Sequence, residues 1–164
     1  MARARAIPNL AAEDQYAGAA AKIVSVRARE VADHAYDVLN VVDIERVHDM
    51  RVATRRLRAA LEIFEPCFPP KEFGAALSHV KAIADALGER RDRDVAIAAL
   101  EEFAAGIPSP DRPGVQTLIE RLRAEQAEAN EGLAPFVEAG QLAALSELLS
   151  ELVAAAEAAR EGET

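Results

Sequence analysis

Alanine occupies 37 of the 164 positions, and the chain contains no tryptophan. Because alanine enters a helix without loss of side-chain entropy, this composition favours packed helices over sheets. Hydrophobic residues make up 51% of the chain, which is enough for a core, and the length is typical of one domain. We therefore predict a single all-α domain over residues 1–164, built as an antiparallel bundle of about five to six helices.

Prolines, glycines and capping residues place the ends of the predicted helices. The pattern predicts helices over residues 10–39, 44–65, 71–87, 92–106, 114–131 and 141–160, with an interruption at 132–135. Gly88 is expected to end the third helix in a left-handed conformation, and Asp92 is expected to cap the fourth. Since short links usually join antiparallel neighbours, the second and third helices should lie side by side, with Lys81 near the second.

Charge and cysteine content limit the kind of protein this can be. The net charge is -9, and residues 97–164 supply all of it, yet screening confines the repulsion of a polyanion to about 8 Å at physiological salt. Cys67 is the only cysteine, which excludes an intrachain disulfide. No long apolar run predicts a membrane helix, and Glu13 and Asp14 interrupt the apolar stretch that a signal peptide needs. We expect a soluble, cytoplasmic protein.

The most informative segment, residues 47–64, reads Val-His-Asp-Met-Arg-Val-Ala-Thr-Arg-Arg-Leu-Arg-Ala-Ala-Leu-Glu-Ile-Phe. One face of this helix carries four basic side chains, within about 80° of arc and about 15 Å of length: His48, Arg51, Arg55 and Arg58. Arg56 lies on the far side, where its first interpretation is a salt bridge. Like charges at this spacing destabilise a helix, so the row suggests a polyanionic ligand that neutralises it.

The same residues also permit structural interpretations. A row of arginines can form a solvated face or pair with carboxylates of a neighbouring helix. A second basic cluster consists of Lys81 on the third helix and of Arg90, Arg91 and Arg93 at the turn and the start of the fourth, where free backbone amides attract anions. Asp92 and Asp94 could instead hold these arginines in local ion pairs.

Taken together, the two segments are similar to motifs of the CHAD domain, the conserved-histidine α-helical domain. The matching runs are His48-Asp-Met-Arg-Val-Ala-Thr-Arg-Arg-Leu-Arg-Ala-Ala-Leu and Leu87-Gly-Glu-Arg-Arg-Asp-Arg-Asp-Val, and the resemblance is strongest over residues 43–96. It implies an all-α fold that binds inorganic polyphosphate in a basic groove, and an association with polyphosphate granules. The ligand-binding residues that it implies are His48, Arg51, Arg55, Arg56, Arg58, Lys81, Arg90 and Arg91.

A CHAD domain usually consists of two similar helical halves, each with a basic helix. The second basic motif is missing here, since the fifth predicted helix keeps Arg121 and Arg123 but continues as Ala124-Glu-Gln-Ala-Glu-Ala-Asn. The chain therefore resembles one half of the domain, which would form one wall of the groove. We expect a two-fold homodimer, which would use the same patch twice and supply the second wall.

Catalysis is not expected. The pair His48-Asp49 invites comparison with metal-dependent phosphohydrolases, but His34 and His79 do not stand in ligand-spaced motifs, so we expect no metal site and no cofactor. Nucleic acid is disfavoured because the basic row has no neighbouring aromatic residues on which bases could stack. The remaining alternative is a helical protein-interaction module, whose arginine row docks on an acidic partner or on the acidic last helices of a second copy.

Overall fold

The structure, a computed structural model, describes residues 3–162 and the side chains of residues 3–158. The described chain contains no strand and has five α-helices: α1 (Tyr16–His34), α2 (Glu45–Ile63), α3 (Pro70–Gly106), α4 (Arg112–Val137) and α5 (Ala139–Gly162). Short 3-10 turns at Glu65–Cys67 and Ser109–Asp111 lead into α3 and α4. The predicted all-α class is confirmed.

Four of the helices surround one hydrophobic core. α1 packs against α2 and α5, and α3 closes the ring by contacting both α2 and α5. The inward positions of these helices are apolar and almost wholly buried, among them Val24, Val47, Met50, Leu57, Leu61, Ile83, Leu87 and Leu152. Burying a side chain of this kind contributes about 1.5–3 kcal/mol, so the bundle is held together mainly by this shared core.

The second half of α3 pairs with α4 as a helical hairpin. Gln126 donates a hydrogen bond to Asp94 at 2.6 Å, and Arg123 forms an ion pair with Glu101 further along α3. Residue numbers therefore rise along α3 as they fall along α4, so the two helices are antiparallel. Leu133, near the end of α4, returns to the core of the bundle.

Two predicted interruptions are wrong. α3 runs without a break through Gly88, and no described glycine has a positive φ. A glycine inside a helix costs about 1 kcal/mol relative to alanine, which is offset here because Leu87 packs in the core and Arg90 pairs with Asp94. α4 likewise continues through Pro135, which lies so close to the helix end that its missing N–H affects only the last turns.

The first helix is shorter than predicted at both ends. It begins at Tyr16 and ends at His34, and Asp37 then adopts a positive φ of 53°, which an α-helix does not allow. α2, in contrast, lies within two residues of its predicted range at each end. This agreement matters because α2 carries the basic row.

Charged side chains cover the outer faces of the bundle, and in the described part of the chain no helix combines the length and apolarity needed to cross a membrane. Most arginines on these faces form an ion pair with a carboxylate of the same helix or of a neighbouring segment. Examples are Arg5–Asp33, Arg93–Glu89, Arg121–Glu125 and Arg123–Glu101.

Candidate functional site

The basic row lies along α2, where we define it as His48, Arg51, Arg55 and Arg58. Because α2 is continuous from Glu45 to Ile63, the spacing of its residues translates directly into faces of the helix. One face is buried in the core, and the four members of the row lie outside it. Arg55 is exposed, whereas the other three are half-buried.

The members of the row differ in whether the protein neutralises them. Arg51 and Arg55 form no hydrogen bond or ion pair with any other side chain in residues 3–158. Arg58 is neutralised locally, since its Nε donates to Glu62 Oε1 at 2.9 Å on the next turn of the same helix. The row therefore presents two guanidinium groups, one turn apart, without a counter-charge from the described chain.

Arg56 lies on the other flank of α2, beside α1. The α1 residue Glu30 is only 1% exposed, and its side chain accepts hydrogen bonds from the Arg5 amide and from Arg27 Nη1. Burial alone would raise the pKa of the Glu30 carboxyl, but these hydrogen bonds and the charges of Arg27 and Arg56 hold that pKa below its ordinary value. The charge of Arg56 thus acts on the buried Glu30 carboxyl of α1, across the interface between the two helices.

Arg91 sets the register between α2 and α3. Its Nη1 donates to the carbonyl oxygen of Ile44 at 3.2 Å and lies 3.4 Å from Glu45 Oε1, at the first turn of α2. The short link from Ile63 to Pro70 joins the end of α2 to the start of α3, and Arg91 contacts the start of α2, so the two helices are antiparallel. Lys81 and Arg55 each lie ten residues, about 15 Å, from that contact along their own helices, which puts them at similar heights. Arg91 thus holds α3 against the start of α2, and its guanidinium group is already engaged by groups of the protein.

Lys81 lies on α3, the helix that packs on the flank of α2 carrying Arg51 and Arg58. α1 packs on the flank of Arg56, so α3, the other neighbour of α2 in the ring, packs on the opposite flank. Lys81 lies about 80° from Arg91 around α3, is half-buried, and forms no ion pair within the described residues. We call the surface formed by Arg51, Arg55, Arg58 and Lys81 the α2–α3 groove.

Arg90 does not belong to this surface, which corrects the prediction that it contacts the ligand. It is wholly buried between α3 and α4. Its Nε donates to Asp94 Oδ1 at 2.9 Å and its Nη1 donates to Asn130 Oδ1, while Gln126 donates to the same Asp94 oxygen. A buried charge is tolerated only when it is paired in this way, so Arg90 serves the α3–α4 interface.

Three side chains at the start of α2 converge in a way that the sequence analysis missed. Glu45, His48 and Asp49 each offer one ligand atom, and these atoms all lie within 4.8 Å of one another. Their i, i+3, i+4 spacing puts Glu45 on the same side of the helix as the His48-Asp49 pair, a signal that is present in the sequence. A cavity of about 250 Å³ adjoins them, lined by Asp33, His34, Tyr36, Asp43, Glu45, Arg46 and Asp49.

The comparison with protein families agrees with the motif resemblance and extends it. A sequence model of the CHAD domain matches residues 22–164, a range that contains both basic segments and all of α2, α3 and α4. No curated protein matches the chain. Because the matched range covers most of the residues and the fold is all-α, the chain belongs to the CHAD domain family.

Proposed function

We propose that this chain binds inorganic polyphosphate in the α2–α3 groove and does not act on it chemically. The CHAD domain is associated with polyphosphate-related proteins, which supports this ligand over other polyanions. The observation that carries the proposal is the pair Arg51 and Arg55, two guanidinium groups one turn apart that no described carboxylate neutralises.

Simple electrostatics explains why a phosphate polymer would bind along this row. Like charges one turn apart repel each other, and a chain of phosphates lying along the helix removes that repulsion. Guanidinium groups stay charged at accessible pH values and can donate two parallel hydrogen bonds to phosphate oxygens. The row extends about 15 Å along α2, so several consecutive phosphates can bind at once.

The groove is proposed as a binding surface because its own side chains are cations. Guanidinium and ammonium groups neutralise phosphate oxygens, whereas hydrolysis or transfer also requires a positioned base or nucleophile. Arg51, Arg55, Arg58 and Lys81 supply neither of these, so we assign no catalytic residue.

The proposed functional form is a two-fold homodimer. One chain carries a single basic row on α2, and the outer face of that helix has a depression of about 230 Å³ lined by Val52, Arg55, Arg56 and Ala59. A two-fold axis beside α2 would bring a second row opposite the first, with polyphosphate between them neutralising both. In the cell, such a protein would be cytoplasmic and located with polyphosphate granules.

Calorimetric titration of the full chain with polyphosphate of defined length tests the proposal. We expect saturable binding that tightens with polymer length and weakens steeply as salt rises, because bound phosphates release counterions. Arg51→Ala with Arg55→Ala should weaken binding about tenfold or more, since each lost contact is charge-assisted. Arg121→Ala with Arg123→Ala, which removes two exposed cations of α4, should change affinity less than about twofold. Equal losses in both double variants, or no binding by the wild-type chain, would overturn the proposal.

Light scattering on the same samples distinguishes the alternative function. If the row docks on acidic protein surfaces, the chain should self-associate or capture an acidic partner while polyphosphate has no effect. A polyphosphate-dependent dimer supports the binding proposal, whereas a monomer in both conditions contradicts the dimer.

A further inference from the structure

We infer that an amphipathic helix of a partner protein, apolar on one side and basic beside it, binds along one flank of the α3–α4 hairpin. α4 packs mainly on α3, and an open cavity of about 580 Å³ lies on one flank between the two helices. Its lining includes Glu89 and Arg93 of α3 and Glu125, Glu128, Ala129 and Gly132 of α4. We define the α3–α4 groove as this cavity together with three leucines that continue it towards the hairpin loop, namely Leu100, Leu118 and Leu122.

The periodicity of the helices places the three leucines on the flank of the cavity. Residues seven positions apart differ by only about 20° around an α-helix, so Leu100 lies on the side of α3 that carries Arg93. Leu118 likewise lies on the side of α4 that carries Glu125, with Leu122 one turn further on. Leu118 is 45% exposed, and the other two leucines are half-buried. The groove therefore runs about 21 Å along the hairpin, or about four turns of helix, and its end near the loop is apolar.

Gly132 indicates that the groove admits another backbone. This residue lies inside α4, where glycine is less favourable than alanine. Apart from its chain neighbours and the backbone of the same turns, no atom of the described chain lies within 4 Å of the position that a Cβ atom would occupy. Packing within the chain therefore does not require a glycine here. A missing side chain allows a second helix to approach closely, and Ala129, also small, lines the same cavity.

The charges of the groove select a basic partner. The carboxylates of Glu89, Glu125 and Glu128 line the cavity. Arg93 is already paired there, with Glu89 at 3.1 Å and with Glu125 at 3.8 Å. Glu128 is exposed and forms no ion pair within the described residues. A helix that carries lysine or arginine beside its apolar face complements this surface in both shape and charge.

The same charges disfavour a second copy of this chain as the occupant. A two-fold contact through the α3–α4 groove would place its carboxylates opposite the same carboxylates of the other copy, and like charges across an interface repel. The occupant is therefore a helix of a different protein.

The α3–α4 groove and the proposed polyphosphate site lie on different sides of α3. Arg91 contacts the start of α2, whereas Arg93, about 200° further around α3, lines the α3–α4 groove. A partner bound here leaves the α2–α3 groove accessible. The inference is therefore independent of the proposed function, and either can fail alone.

Fluorescence anisotropy of a labelled synthetic peptide, titrated with the full chain at physiological salt, tests the groove. The probe is a helical peptide of leucine, alanine and lysine, about four turns long, with its leucines on one face and its lysines beside them. It should bind saturably, one peptide per chain, and a matched peptide with glutamate in place of lysine should bind about tenfold more weakly or worse. Leu118→Asn should weaken binding of the basic peptide about fivefold or more. Val42→Asn, which changes an exposed apolar residue between α1 and α2, should alter its affinity less than about twofold.

A pair of glycine substitutions separates binding from folding. Gly132→Ala should raise the urea midpoint of unfolding, because alanine favours the helix, yet weaken peptide binding about threefold or more, because the added methyl group faces the partner. Gly88→Ala is the matched control, since Gly88 also lies inside a helix with open space at its Cβ position, but about 140° from Arg93 around α3. It should raise the midpoint and leave peptide affinity unchanged.

Three outcomes would overturn the inference. The first is no binding of the basic peptide by the wild-type chain. The second is equal peptide affinity in Leu118→Asn and Val42→Asn, or in the two alanine variants, which would mean that the peptide responds only to net charge. The third is self-association of the chain in light scattering that Leu118→Asn abolishes, which would assign the groove to a second copy.

Discussion

Arg91 on α3 donates a hydrogen bond to the main-chain carbonyl oxygen of Ile44, 3.2 Å away at the entry to α2. The carbonyl belongs to the residue that caps α2, so the bond joins the two helices at a point that side-chain changes on α2 do not disturb. From this point the two antiparallel helices run side by side, which brings Lys81 level with Arg55. The α2–α3 groove therefore depends on a residue that lies outside it.

Arg91→Ala should reduce both stability and polyphosphate affinity. The variant leaves the Ile44 carbonyl oxygen and the Glu45 carboxylate without their α3 partner, which should cost about 1–2 kcal/mol of unfolding free energy in a urea titration. Polyphosphate affinity should fall about threefold because α3 is no longer held in register with α2. Arg93→Ala is the control, since Arg93 bonds chiefly to Glu89 on its own helix. If the two variants lose equal stability, Arg91 has no special role in the register.

Glu62→Gln should increase polyphosphate affinity by about two- to fivefold. In the wild-type chain Glu62 forms an ion pair with Arg58, in which Arg58 Nε lies 2.9 Å from Glu62 Oε1. A phosphate group must compete with Glu62 for this guanidinium group. The two side chains are 42% and 44% exposed, so solvent screens the pair and its removal costs little stability. The substitution also frees a third guanidinium group for the ligand. Calorimetry at constant salt measures the change. Glu101→Gln, which frees Arg123 at a distance from the row, should leave affinity unaltered, and a similar gain there would point to net charge alone.

Lys81→Glu should weaken polyphosphate binding about tenfold, because it places a negative charge level with Arg55 in the α2–α3 groove. Lys71→Glu makes the same charge change at the start of the same helix, in an exposed position beyond the end of the row. It should weaken binding only about twofold, through the net charge. The ratio of the two effects should fall as salt rises, since screening reduces long-range terms first. Equal effects at moderate salt would exclude Lys81 from the groove.

The spacing of α2 was predictable because a single continuous helix imposes it. Once residues 44–65 are assigned to one helix, the periodicity of the α-helix places His48, Arg51, Arg55 and Arg58 outside the core stripe. Neighbouring helices are not needed for this step. The sequence of α2 alone does not predict which arginines of the row are neutralised, because carboxylates of other helices can also pair with them. Among the arginines of the row, Arg58 pairs with a carboxylate of α2 itself.

Features that depend on contacts between helices were not predictable from local pattern. Gly88 and Asp92 look like a helix end followed by a cap, but packing of α3 on both α2 and α4 keeps the helix continuous. Arg90 looks like a surface cation, and only the approach of Asn130 and Gln126 from α4 explains its burial. Local propensities of a few tenths to about 1 kcal/mol are outweighed by burial of this extent.

The burial of Arg90 leads to a prediction that separates stability from ligand binding. Arg90→Ala leaves the Asp94 charge buried without its partner, which should cost about 3–5 kcal/mol of unfolding free energy in a urea titration. Arg90→Met with Asp94→Leu removes both charges and should cost much less. Arg90 Nη2 and Asp94 Oδ2 already lack hydrogen-bond partners within the described chain, so the wild-type pair is imperfectly satisfied. The double variant should bind polyphosphate with the affinity of the wild-type chain. If it folds but does not bind, Arg90 contributes to ligand binding after all.

Glu30 predicts a pH dependence of stability at the α1–α2 interface. Its carboxyl is buried, and hydrogen bonds and the charges of Arg27 and Arg56 lower its pKa in the folded chain. A group with a lowered folded pKa stabilises the fold fully above its unfolded pKa, and this contribution is lost as the pH falls through the folded pKa. Glu30→Gln should therefore be less stable than wild type near neutral pH, by about 1–3 kcal/mol, because the arginines lose their counter-charge. The difference should shrink as the pH falls through the lowered pKa of the folded Glu30 carboxyl, because the wild-type side chain then loses its charge as well. Urea titrations of both chains at several pH values measure it, with the exposed Glu102→Gln as the matched control. A Glu30→Gln deficit that stays constant down to the lowest pH at which the chain folds would mean that packing of the side chain, and not its charge, stabilises the interface.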